Sequence, residues 1–206
     1  MAAERRAAAS ARVFLAWIAL LAAALASPSA LAASAPSAAG WNLDALLAAI
    51  ARDAPQRVRF VERHFIGVLD EPIDAAGELS WDPPDRLEKR TLQPRAERLS
   101  YERGVLTVER DGLRRSIELS AVPQAAALIE SLRATLAGER EALERVFDVA
   151  LGGGPQQWTL TLRPRDRAAG GLVQSIRLSG QAGAIDTVEV SQAGGDRSVM
   201  RILRDG

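Results

Sequence analysis

Residues 77–101 read GELSWDPPDRLEKRTLQPRAERLSY. Three short alternating runs stand between proline punctuation marks, and a residue that precedes proline is pushed towards extended geometry. Leu79 and Trp81 share one parity, Leu87, Lys89 and Thr91 form a second run, and Leu99 and Tyr101 a third. Apolar groups therefore fall mainly on one face of what reads as the start of an antiparallel sheet. That face needs either a packed core or something else to cover it.

Working outward, Arg57–Leu69 (RVRFVERHFIGVL) reads as a long strand with Val58 and Phe60 on one parity and Phe65 and Leu69 on the other. The switch suggests a bulge or bend near Glu62–His64. After the stretch come Val105–Arg110 and Leu113–Leu119, joined by Asp111-Gly112, a dipeptide favoured in tight hairpins. Six strands in a row with no helix between them exclude a βαβ layout and argue for an antiparallel meander. Ahead of it, Asn42 can cap a short helix with Leu43, Leu46, Leu47 and Ile50 along one stripe, stopped before Pro55. Behind it, Pro123 opens two helices hinged at Gly138, the first striped by Leu128, Ile129, Leu132 and Leu136. The second is striped by Leu143, Val146 and Phe147 and ends at Gly152-Gly153-Gly154. Four more strands follow: 156–163, with Trp158, Leu160 and Leu162 aligned, then 172–179, 185–191 and 197–203. The fold class is α+β and mainly antiparallel, with about ten strands and three amphipathic helices.

The N-terminus is a separate matter. Arg5, Arg6 and Arg12 precede the apolar run Val13–Leu25, and small-residue cleavage patterns follow at 24–26 and 30–32. The run is shorter than the roughly 20 residues of a spanning helix. Residues 1–32 are therefore expected to be a cleaved signal peptide, 33–40 a mobile arm and 41–206 a single domain. The 206 residues hold 26 basic and 26 acidic side chains, and that balance argues against a nucleic-acid partner. Cysteine is absent, which excludes disulfides, a thiol nucleophile, cysteine-ligated zinc and a lipid anchor on the chain itself. An exported chain of this kind suits the periplasm.

No catalytic set emerges. His64 is the one histidine, and Ser100, Ser116 and Ser120 lie outside any G-x-S-x-G elbow. One histidine and no calcium-type aspartate loop leave no metal site, and no cofactor motif is present. The carboxylate pairs Glu139/Glu141 and Asp82/Asp85 read as solvated surface. Gly152-Gly153-Gly154 has no adjacent lysine and reads as a helix terminator, not a phosphate loop. What remains is one-sided amphipathicity. It fits an ordinary helix-on-sheet core, or helices that lid a cavity for something apolar.

The order helix, long strand, meander, two helices, strands, behind a signal peptide, resembles the periplasmic outer-membrane lipoprotein carriers, the LolA-like family. Phe60 near the start of the long strand carries the likeness, as does Gly77-Glu78-Leu79-Ser80-Trp81-Asp82-Pro83-Pro84 leading into a proline-centred turn. The strand Arg86–Leu92, Pro94 and the hairpin Tyr101–Val108 complete it. The resemblance implies a half-open, incomplete β-barrel with a helical lid and no enzymatic step. Its cavity would take acyl chains of a lipoprotein or another lipid from an inner-membrane donor and pass them to an outer-membrane acceptor. On that basis Phe60, Leu79, Trp81, Leu87, Leu99, Tyr101, Leu106, Val108 and Trp158 would line the cavity of a monomeric carrier, with Leu128, Leu132 and Phe147 on the lid. Typical carriers have an arginine before the turn proline, where this chain has Pro83, so the lid would be latched differently. Two other readings stand beside it: a module that senses lipid or lipoprotein and regulates a membrane partner, and an enzyme that acts on lipid or glycan through His64.

Overall fold

A computed structural model describes residues 40–165, 173–192 and 194–204. The expected leader, residues 1–32, and nearly all of the expected arm lie outside them. Helix α1 (Leu43–Asp53) starts as its sequence dictates, with Asn42 Oδ1 accepting the Ala45 amide at 2.9 Å. The meander follows as β1 (Arg57–Phe65), β2 (Ile73–Asp82), β3 (Arg86–Gln93), β4 (Glu97–Glu102), β5 (Val105–Arg110) and β6 (Leu113–Glu118). A 3-10 turn (Leu119–Ala121), α2 (Pro123–Ala137) and α3 (Arg140–Val146) cross over to β7 (Phe147–Gly154), β8 (Gln157–Pro164), β9 (Ser175–Gln181), β10 (Ala184–Ser191) and β11 (Arg197–Leu203). Every pairing is antiparallel, and the order is β6-β5-β4-β3-β2-β1-β11-β10-β9-β8-β7. The 11-stranded sheet does not close, because β6 and β7 end it without pairing with each other.

Three expectations need correction. The sheet has eleven strands, not about ten. The additional one is β7, where the apolar spacing predicts the end of the second helix. Leu143, Val146 and Phe147 do fit helical spacing, but Phe147, Val149 and Leu151 alternate, and their partners on β8 are Pro164, Leu162 and Leu160. Phe147 is thus the first residue of a strand rather than a lid residue, and the triple glycine lies within and at the end of that strand. Finally, β1 keeps continuous register with both neighbours through Glu62–His64 and stops at Phe65, so there is no bulge where the parity switch suggested one. The apolar residues beyond belong to the turn into β2.

The hinge and hairpin were read correctly. Gly138 caps α2 in the left-handed region at φ 75°, and Asp111 and Gly112 take φ 52° and 76° in the β5–β6 turn.

Helices cover one face of the sheet and build two apolar clusters on it. The larger joins Leu46, Leu47 and Ile50 of α1 and Leu143 of α3 to Phe147, Trp158, Leu160, Leu162, Ile176 and Leu178. Alternation along β8 and β9 supplies its floor. The smaller joins Leu106 and Val108 of β5 to Leu119, with Ala126 and Ile129 of α2 packed on it. Because Ala134 of α2 belongs to the larger cluster, that helix bridges the two.

Candidate functional site

β1–β3 lie between the clusters, and Leu99 and Tyr101 of β4 pack against the edge of the smaller one; the register shows which side chains of β1–β4 face the helices. Phe60 stands opposite Gly77, Val58 opposite Leu79, Leu79 opposite Lys89, Trp81 opposite Leu87, Lys89 opposite Leu99, and Leu87 opposite Tyr101. The row continues onto β5, where Leu99 meets Val108 and Tyr101 meets Leu106. Eight of the nine proposed lining residues therefore share one contiguous patch of the covered face, and Trp158 alone lies elsewhere. Trp158 is wholly buried in the larger cluster, where its indole Nε1 donates to the Ala182 carbonyl at 2.9 Å.

Burial within the patch is uneven. Phe60, Trp81, Leu106 and Val108 are buried. Leu79, Leu87, Leu99 and Tyr101 are only half-buried, so an apolar stripe is left incompletely covered at the middle of the helix-facing side. Leu132 of α2 is also half-buried. The side chain of Leu128 lies outside the described residues.

The same face holds a polar cluster that the sequence reading did not assemble. Glu62 is buried, with 6% of its side chain exposed, and its Oε2 accepts from Lys89 Nζ. Its Oε1 accepts the Ser198 hydroxyl at 2.9 Å, and His64 Nε2 approaches Oε2 at 3.4 Å. Lys89 Nζ also lies 5.1 Å from the centroid of the Phe60 ring, within range of a cation–π attraction. Burial by itself pushes the Glu62 carboxyl up, but the Lys89 charge and the hydrogen bonds from His64 and Lys89 outweigh it and hold the group well below the usual carboxylate range. One signal was visible in advance. Glu62 shares parity with Phe60, and Lys89 with Leu87, so each puts a charge where the strand pattern calls for an apolar group.

This order is not that of a nucleophile, base and orienter. The carboxylate is central and itself holds the serine hydroxyl, whereas acyl-transfer chemistry needs the imidazole between the two. Among the described residues no group of three or more histidine, aspartate and glutamate side chains could hold a metal ion, and no helix is long and apolar enough to cross a membrane.

A family model described as "Outer membrane lipoprotein carrier protein LolA-like" matches residues 32–204. The chain belongs to this LolA-like family. The resemblance read from the meander and its prolines is thereby shown. Among curated proteins, no sequence matches. Solved structures of similar fold include a LolA-superfamily protein from Nitrosomonas europaea, 13% identical, with 81% of this chain and 96% of that one covered at a TM-score of 0.42. Another is a chain of the Pseudomonas aeruginosa MucA/MucB complex, 12% identical, with 78% and 55% covered and a TM-score of 0.40. LprF from Mycobacterium bovis is 13% identical, with 79% and 91% covered and a TM-score of 0.35.

Proposed function

We propose that this LolA-like protein is a periplasmic carrier that shelters acyl chains of a lipoprotein or another lipid between the sheet and α2 and ferries them from an inner-membrane donor to an outer-membrane acceptor. The observation that carries the reading is the half-buried stripe Leu79, Leu87, Leu99 and Tyr101, set among buried Phe60, Trp81, Leu106 and Val108 on the helix-facing side. An ordinary core would close over such residues, because each buried methylene contributes about 0.8 kcal/mol. The same gain draws a solvent-exposed acyl chain into the stripe. Leu132, and Leu128 on the same helix, serve as the lid. No bond is made or broken.

Handover needs a contact surface, and one end of the sheet offers it. Among the described residues, the large hydrophobic side chains that stand exposed are Val68 and Leu69 in the β1–β2 turn, Leu92 near the end of β3 and Leu113 at the start of β6. All four lie at the end where β1 passes into β2, β3 into β4 and β5 into β6. Donor and acceptor proteins dock there. Native mass spectrometry of the protein purified from a periplasmic extract tests the carrier reading. A bound lipid mass is the expected result, and an apo mass together with no uptake of a fluorescent fatty acid would overturn it.

A further inference from the structure

The Glu62–Lys89 pair has no evident structural need. Replacing a buried ion pair by apolar side chains is often neutral or stabilising, and the cross-strand partners of the pair, Ala75, Met200, Leu79 and Leu99, are apolar. Lys89 is the one lysine of the chain and sits on the covered face with Leu79 and Leu99 as its cross-strand partners. It therefore borders the half-buried stripe directly. Glu62 is sealed, with 6% of its side chain exposed, while Lys89 keeps 27%. An ammonium carries three donors, and the Glu62 carboxylate takes one of them. The other charged groups of that face do not make it acidic. Glu97 stands 3.9 Å from Arg110 on β5, and Arg115 follows on β6 opposite Val108.

We propose that Lys89 is the headgroup site of the cavity and binds the anionic group, carboxylate or phosphate, of an acyl-chain cargo. Glu62, fixed by Ser198, acts as the counter-ion that holds the ammonium at the border of the stripe. This inference rests on the carrier reading and narrows its cargo to acidic lipids.

The test uses the fluorescent polyene cis-parinaric acid and its methyl ester, titrated into the mature protein. Hydrophobic transfer alone favours the uncharged ester, so a preference for the acid reports the headgroup. The acid is expected to bind about tenfold or more tightly than the ester, the size of one charge-assisted hydrogen bond. That ratio should fall to near one in Lys89→Met. Because this variant leaves the buried Glu62 charge without its ammonium partner, the double variant Glu62→Gln/Lys89→Met is measured as well, with the same expected ratio. Displacement of the bound acid by palmitate or by lysophosphatidic acid, each more strongly than by methyl palmitate, is expected, and the better of the two identifies the source of the charge. Equal binding of acid and ester, or an acid preference that survives in both variants, overturns the headgroup site and leaves the carrier standing. If neither form binds, the carrier reading falls and this inference falls with it.

Discussion

Lys89 on β3 reaches across the whole of β2 to Glu62 on β1, and the residues it passes on the covered face are Ala75 and Gly77. Ala75 is the cross-strand partner of Glu62, and a larger side chain there would crowd the carboxylate. The pair therefore depends on the intervening strand as well as on its own members.

The pH dependence of stability follows from this geometry. Because the folded state holds the Glu62 carboxyl below its ordinary range, the pair stabilises the fold fully above the unfolded pKa, about 4.3 for glutamate. That contribution is lost as pH falls from there through the folded value. Glu62→Gln should be less stable than the wild type near neutral pH, and the gap should narrow in acid. Urea titrations at about pH 7 and about pH 3 check this; a gap of constant size would show that the carboxylate charge is not what matters.

Gly77→Ala should destabilise strongly for a different reason. A β-carbon there would lie 2.0 Å from the Arg90 carbonyl oxygen and 2.9 Å from the Thr91 α-carbon. Both are backbone atoms of β3, next to the register shift at Ala76/Gly77, so no side chain can swing aside. A loss of about 1–3 kcal/mol or more is expected in denaturant unfolding, and a melting temperature equal to that of the wild type would contradict the close approach.

Alternation made most of this sheet legible in the sequence. Leu79/Trp81, Leu99/Tyr101 and Trp158/Leu160/Leu162 each announced a strand and its inward face, and Asp111-Gly112 announced a hairpin. At Phe147 the same signal competed with helical spacing from Leu143 and Val146, and local pattern could not arbitrate. The pairing with β8 did so, because Phe147–Gly154 supplies the last strand of the sheet. The polar cluster was hidden for another reason. Glu62 and Lys89 are 27 residues apart and not on neighbouring strands, so only the three-dimensional register brings them together.

Leu132→Glu tests the lid. Ile129, one turn earlier on α2, packs on the Leu106/Val108 cluster, and half-buried Leu132 continues that helix over the sheet. A carboxylate at this position would place a charge beside an apolar chain, which is costly without a partner. Uptake of a fluorescent fatty acid should fall about tenfold or more while the far-ultraviolet circular dichroism stays native. Unchanged uptake would remove Leu132 from the lid.

Val68→Ser combined with Leu113→Ser probes the exposed end of the sheet. These side chains touch neither cluster and stand in solvent, so stability should change by no more than about 0.5 kcal/mol. Uptake from solution should be retained, and lipid transfer between donor and acceptor membranes should slow. Wild-type transfer rates in the double variant would exclude this end as the handover surface.

Phe147→Ala separates a core residue from a lid residue. The ring is completely buried in the larger cluster, on the opposite side of the sheet order from β3–β5. Its Cα partner is Pro164 on β8, and the Arg165 side chain donates to the Phe147 carbonyl at 3.1 Å. Removing such a ring leaves a cavity between the sheet and the helices packed on it, and the cost should be about 3–5 kcal/mol. A residue that merely closed a cavity would lower ligand affinity and leave unfolding almost unaltered. Thermal unfolding of the unliganded variant decides between them. A large drop in melting temperature, present without any lipid, is the expected outcome, and a native melting temperature with impaired uptake would return Phe147 to the lid.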